Sequence, residues 1–199
     1  STNGYKENYT FNIAKSKAVQ PGVYTSFKQL ITAMRSNMAG TYKLASDMTA
    51  DEVGLTDNQT SYLSGEFTGT LIGADGSKAY AIYDLRKPLF DTLRGATVKD
   101  LDVKNVDIDS DENAAAIAKV ADTAKISNVA VEGKISGRKS VAGLVVSATN
   151  TTIENSAFTG KLVANHTDYS AKYAGGIVGN LTGENARINK SKVDVKISY

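Results

Sequence analysis

Few side chains in this 199-residue chain have the type and spacing that chemistry needs. His166 stands beside Asp168 and Tyr169, an arrangement that imitates a general acid–base pair. No nucleophile accompanies it in any motif, and a histidine in a polar loop ordinarily faces solvent. These three residues, with Tyr173, are therefore read as a candidate contact for a partner rather than as a catalytic centre. Asp107, Asp109 and Asp111 imitate the opening of a calcium loop. The turn glycine that such a loop requires is Glu112 here and its closing glutamate is Ala118, which excludes an EF-hand; a solvated acidic turn is the main reading and a weak calcium site the lesser one. Asp100, Asp102 and Glu154 are the acids that a polysaccharide-cleaving enzyme would need on one sheet, but their spacing does not gather them. The sequence assigns no catalytic residue, no cofactor-binding residue and no metal ligand.

The scaffold is far more legible. Leu89, Ile117, Leu144 and Ile177 each sit in a small, apolar segment, and Val98, Ile126, Ile153 and Ile188 follow them by 9, 9, 9 and 11 residues. Self-similarity of this length means stacked repeats that share one core and act as extended surfaces. Each copy continues into an alternating strand whose third position reads Asp100, Asn128, Asn155 and Lys190. Asn and Asp hold turns there, because their side chains bond nearby backbone N–H groups and they tolerate left-handed dihedrals. The strands begin 28, 27 and 35 residues apart, which suits coils of a parallel β-solenoid with two or three short strands each. A leucine-rich repeat would need leucine at several fixed positions, whereas glycine or alanine precedes the interior residue here. The expected fold is mainly β: a right-handed parallel β-helix whose coils stack at about 4.8 Å. The extra residues of the third repeat, around 165–172, should protrude as a loop.

Ser26 opens the one clear helix, with Ser26 and Gln29 placed as a capping box and Gly40 as the stop. Phe27, Leu30, Ile31, Met34 and Met38 recur at helical spacing, so the helix should bury one apolar face. The expected organisation is an extension with short strands over 1–24, an amphipathic capping helix over 25–40, and parallel β-helix coils over 41–199 that continue into a larger parent protein. The abrupt start at Ser1 fits a piece of a longer chain, and the strand from Val193 to Ile197, which has no cap, should be covered by more protein.

Composition narrows the classes further. The 23 basic and 21 acidic residues are spread along the chain without a basic block interleaved with aromatics, so nucleic acid is not an implied partner. Cysteine is absent, which rules out disulfides and thiolate zinc sites. No apolar run approaches the ~18 residues that cross a membrane, and no membrane insertion is expected.

The run from Pro88-Leu89-Phe90 through Gly95-Ala96-Thr97-Val98-Lys99-Asp100-Leu101, followed by Ala174 to Gly183, resembles a known pattern, as does Gly40 to Met48 with Phe67 to Leu71. Together they are similar to the non-catalytic β-solenoid region of the streptococcal immunoglobulin A protease family, large cell-surface zinc metallopeptidases, and to the GLUG repeat found there. The resemblance covers roughly residues 25–199. It implies a parent that cleaves the hinge of immunoglobulin A with a zinc ion held by a His-Glu-x-x-His helix. It also implies an extracellular location, secreted or cell-wall attached, with immunoglobulin A and the catalytic domain of the same chain as partners. This chain has a single histidine, His166, so no catalytic residue carries over, zinc belongs to the parent, and the fragment should be inert as a peptidase. Ala116 and Val146 depart from the glycine positions of the motif. The competing readings are a surface adhesion module of an unrelated bacterial protein and a polysaccharide-cleaving β-helix enzyme.

Overall fold

The computed structural model describes residues 22–165 and 173–198, and it is mainly β. An 11-stranded and a five-stranded sheet carry the architecture, with two two-stranded sheets beside them. Among the described residues every pairing between strands is parallel except that of Ala74–Asp75 with Lys78–Ala79. Parallel partners cannot be joined by a tight hairpin, so the chain must travel before it returns to the same edge. Here the return takes one repeat. Val98 pairs with Ile126, Ile126 with Ile153 and Ile153 with Ile188, the alignment expected from the sequence. The long third repeat returns to the same register as the short ones.

The column extends further back than the copies recognised in the sequence. Leu71 pairs with Val98, and Tyr42 with Leu71. These two rungs lack the polar third position, which is Leu44 in one and Gly73 in the other. A second column runs Met48, Ile82, Val103, Val131, Phe158, Val193, and a third runs Ile108, Ile135, Leu162, Ile197. In the five-stranded sheet Phe67, Leu93, Ala121, Ala148 and Leu181 stack in the same way. Like residues on successive rungs make one continuous core, buried from Phe27 to Ile177. Each fully buried aliphatic or phenyl side chain contributes about 1.5–3 kcal/mol.

The rungs bend where the backbone turns left-handed. Asp100, Asn128, Asn155 and Lys190 have φ of 54°, 53°, 49° and 48°, as the polar third position suggested. Another corner uses Gly95, Thr123, Asn150 and Gly183. Thr123 is the surprise, since a β-branched residue rarely takes φ of 54°. A third corner passes through Asp84 and Asn105, and in later rungs through Gly133 and Gly160 at φ 146° and 145°. A Cβ on Gly160 would fall on the carbonyl oxygen of Gly133, and one on Gly133 would fall on that of Val106, so glycine is required at both. Two hydroxyls serve the stack from inside. Buried Thr151 accepts from Ala124 N at 3.2 Å, and buried Ser156 accepts from Val129 N at 3.2 Å.

The helix spans Phe27–Ser36 and buries Phe27, Leu30, Ile31 and Met34. The Phe27 ring meets Tyr62 edge-on, with centroids 5.1 Å apart. Ser26 Oγ accepts from Gln29 N at 3.4 Å, the first half of the expected box. The second half comes from elsewhere: Glu52 Oε2 accepts from the Ser26 hydroxyl at 2.5 Å and from Lys28 N at 3.1 Å. The carboxylate thus sits at the positive end of the helix from a distant residue, in place of a neutral Gln29 amide. Gly40 is not the stop. Asn37, in extended backbone with its N–H on Ala33 O, ends the helix, and Gly40 O accepts from Thr70 N at 2.9 Å. The chain passes from one sheet to the other just after Phe67, with Leu63–Phe67 in the five-stranded sheet and Thr70–Ile72 in the 11-stranded one.

Candidate functional site

His166, Asp168 and Tyr169 lie outside the described residues. Tyr173 is described and 40% exposed. Its carbonyl accepts from Val141 N at 2.9 Å, which fixes its backbone beside the strand Val141–Ala142.

The acids singled out in the sequence do not converge. Asp107 pairs with Arg86 at 3.1 Å and Asp111 with Arg138 at 3.0 Å, so two members of the calcium-like run are tied to different arginines. Among the described residues no group of three His, Cys, Asp or Glu could hold a metal ion. Asp100 accepts from the Asn128 amide at 2.8 Å and lies 3.7 Å from Lys99. Asp102 lies 3.8 Å from Lys104, and Glu154 3.1 Å from Lys125. Lys99 pairs in register with Ser127 and Ser127 with Glu154, which sets Glu154 two rungs away from Asp100.

An open groove of about 250 Å³ on the large sheet is lined by Asp102, Lys104, Glu132 and Thr159, with Ala130 and Ala157 among them. Another, of about 460 Å³, lies between the helix and the first rung, beside Tyr24, Asn37 and Tyr42. Burial raises the Tyr42 phenol, with Tyr24 adding to it, and the hydroxyl donates to the carbonyls of Ala33 and Asn37. Burial also raises the Tyr62 phenol, whose oxygen accepts from Arg86 N at 3.3 Å. Tyr42 thus ties down the last turn of the helix, while the Tyr62 ring packs on Phe27 at its start.

Sequence reasoning missed an ionic ladder. Arg94 donates to Glu66 at 2.8 Å and to Asp122 at 2.6 Å, and the Glu66 bond leads the causes that hold its guanidinium above the ordinary value. The signal was available, because each partner stands 28 residues from Arg94, the length of one repeat. Lys119 similarly meets Asp91 and donates to Thr60 at 2.9 Å. Charges arranged this way tie rung to rung.

Residues 1–133 match the family described as the M26 IgA1-specific metallo-endopeptidase N-terminal region. The chain belongs to this family. It is 71% identical over 197 residues to the zinc metalloprotease ZmpC of Streptococcus pneumoniae serotype 4, covering 99% of this chain and 11% of that protein. An immunoglobulin A1 protease of Streptococcus sanguinis is 43% identical over 98% of this chain and 11% of its own length. A solved structure named IgA1 Protease superposes with a TM-score of 0.83 at 42% identity, over 87% of this chain and 14% of that one. The M26 chain described here thus spans about a tenth of the length of these curated relatives. The family resemblance read from the sequence holds: the matching family is described as the N-terminal region of IgA1-specific metallo-endopeptidases. No described helix is long and apolar enough to cross a membrane.

Proposed function

We propose that this M26 region is a non-catalytic positioning or substrate-engaging domain of a secreted or cell-wall-attached zinc metalloendopeptidase that cleaves immunoglobulin A. The observation that carries the reading is membership of a zinc metalloprotease family by a chain with one histidine, since a His-Glu-x-x-His zinc helix needs two. Zinc and bond cleavage then belong to the remainder of the protein. The domain is a right-handed parallel β-helix over 41–199, closed at one end by the capping helix within 25–40 and preceded by the extension 1–24. Parallel ladders at a one-repeat separation support that fold, and right-handed crossovers are the rule for such connections. Its partners are immunoglobulin A and the catalytic domain of the same chain, and the contact is assigned to His166, Asp168, Tyr169 and Tyr173.

A second reading is favoured by the higher identity to a relative named only as a zinc metalloprotease, 71% against 43% for an immunoglobulin A1 protease. Under it the same scaffold presents a different protein substrate. Both readings are tested in the whole protein. The 199-residue chain alone should leave immunoglobulin A1 intact, and cleavage by it would refute the inert assignment. In the parent, Tyr173→Ala with His166→Ala should raise KM for immunoglobulin A1 without lowering kcat. An unchanged KM would remove the substrate-engaging role, and a parent that ignores immunoglobulin A1 while cleaving other proteins would select the second reading.

A further inference from the structure

Four apolar columns of the stack lose their burial on the same rung, while Ile177, which ends the column of Leu89, Ile117 and Leu144 on that rung, stays buried at 6% exposed. Ile153, Phe158, Leu162 and Ala148 are each 0% exposed. Their partners on the next rung, Ile188, Val193, Ile197 and Leu181, are 43%, 42%, 38% and 37% exposed. Scattered surface aliphatics are ordinary, but four in one layer, each in a column that is buried on the preceding rung, are a continuous apolar face. The backbone agrees. Among the described residues the strands Val178–Thr182, Arg187–Asn189 and Lys192–Ser198 each pair on one side only and present a parallel edge on the other. At the opposite end of the stack the helix Phe27–Ser36 buries its apolar side chains against the first rungs, so the two ends differ in kind.

We infer that this face is the seat of one more parallel rung, donated by the stretch of the same polypeptide that follows Tyr199. The inference rests on the reading of the chain as part of a longer protein, and the length of the relatives supplies that stretch, since this chain spans 11% of theirs. Continuity with the existing ladders chooses this occupant over a foreign partner: the edge offers parallel hydrogen bonds and an apolar column at the spacing that each earlier rung already used. That spacing dictates the sequence of the guest. From Ile126, Ile153 and Ile188 alike, apolar residues stand at the first, sixth and tenth positions, with a left-handed residue at the third. The guest carries this pattern, with Asn, Asp or Gly at its third position, one repeat after Ile188. Repeats of 27 to 35 residues set the window.

Amide hydrogen exchange on the full-length protein and on the 199-residue chain tests the assignment. Amides of residues 188–198 should exchange roughly tenfold or more slowly in the full-length protein, because local opening of an edge strand is nearly free and that of a paired interior strand is not. Val193→Asp in the full-length protein should abolish the slowing there and in the following stretch while residues 125–137 stay protected. The milder Val193→Thr should give part of the effect, so a variant that fails to fold does not decide the outcome. Equal exchange in the two proteins overturns the inference. So does slowing that arises in the isolated chain as its concentration rises, which would make a second copy the occupant, and so does a following stretch without the pattern. Cleavage of immunoglobulin A is a separate readout, so the proposed substrate can fail while this inference stands.

Discussion

Asn128 allows the corner geometry to be separated from the hydrogen bond that accompanies it. The residue sits at φ 53° and its amide donates to Asp100 Oδ1 at 2.8 Å, one rung back. Alanine forced into that region costs about 1–2 kcal/mol, because its Cβ crowds the following carbonyl oxygen. Loss of the exposed hydrogen bond adds roughly 0.5–1 kcal/mol. Together these give a loss of about 2 kcal/mol for Asn128→Ala, or roughly 4–8 °C in Tm for a chain of this size. Glycine loses the same hydrogen bond and about 0.5–1 kcal/mol of unfolded-state entropy, but it takes the dihedral without crowding. Asn128→Gly should therefore be the more stable of the two by about 0.5–1 kcal/mol. Urea unfolding followed by circular dichroism measures the difference. If Asn128→Ala equals or exceeds Asn128→Gly, the left-handed backbone is not what selects the corner residue.

Three further outcomes follow from other parts of the molecule. Phe158→Ala should cost about 3–5 kcal/mol, since it empties a fully buried site in the second column, and an unchanged urea midpoint would remove Phe158 from the core. Gly160→Ala should lower Tm and release protection of the strand Ala157–Ala164 in hydrogen exchange, because the new Cβ meets the Gly133 carbonyl at a φ that side chains avoid; full retention of protection would contradict it. Glu52→Gln tests the helix cap through pH. Burial works to raise the Glu52 carboxyl, but the Ser26 hydroxyl, the Lys28 and Phe27 amides and the Lys28 charge outweigh it and hold the group below its ordinary value of 4.5. Its stabilisation is therefore present above that value and is lost as pH falls through the lower folded one. The wild type should exceed Glu52→Gln by about 0.5–1 kcal/mol at pH 7, with the gap closing on acidification, and a gap independent of pH would refute the cap.

The repeat was legible because the same requirement recurs on every rung. An interior aliphatic residue and a left-handed polar residue two positions later leave a periodic trace, and Val98, Ile126, Ile153 and Ile188 were aligned from that trace alone. The rungs of Tyr42 and Leu71 escaped because Leu44 and Gly73 replace the polar residue. The helix cap escaped for a different reason: Glu52 reaches Ser26 from 26 residues away, and local pattern reading sees Gln29 first. Gly40 was mistaken for a stop because its proximity to a helix end concealed its acceptance of a hydrogen bond from Thr70. Thr123 left no trace at all, since nothing in its type announces φ of 54°. Of the candidate contact, only Tyr173 is placed among the described residues. Contact with a partner imposes no period, so nothing in the spacing of His166, Asp168, Tyr169 and Tyr173 could mark it as the repeat marks the core.

The one-repeat separation of the ladders also orders events in time. Among the described residues each rung after that of Tyr42 pairs with one that precedes it in the chain. Synthesis delivers the helix and the Tyr42 rung before the rungs that follow them, so each later rung emerges beside an edge that sets its register. Growth of this kind never has to search across the whole chain for a partner, and the entropy of loop closure is that of one repeat however many rungs are added. Shortening the molecule from its late end then removes rungs one at a time, whereas loss of the helix and Tyr42 takes away the edge on which the rest is laid.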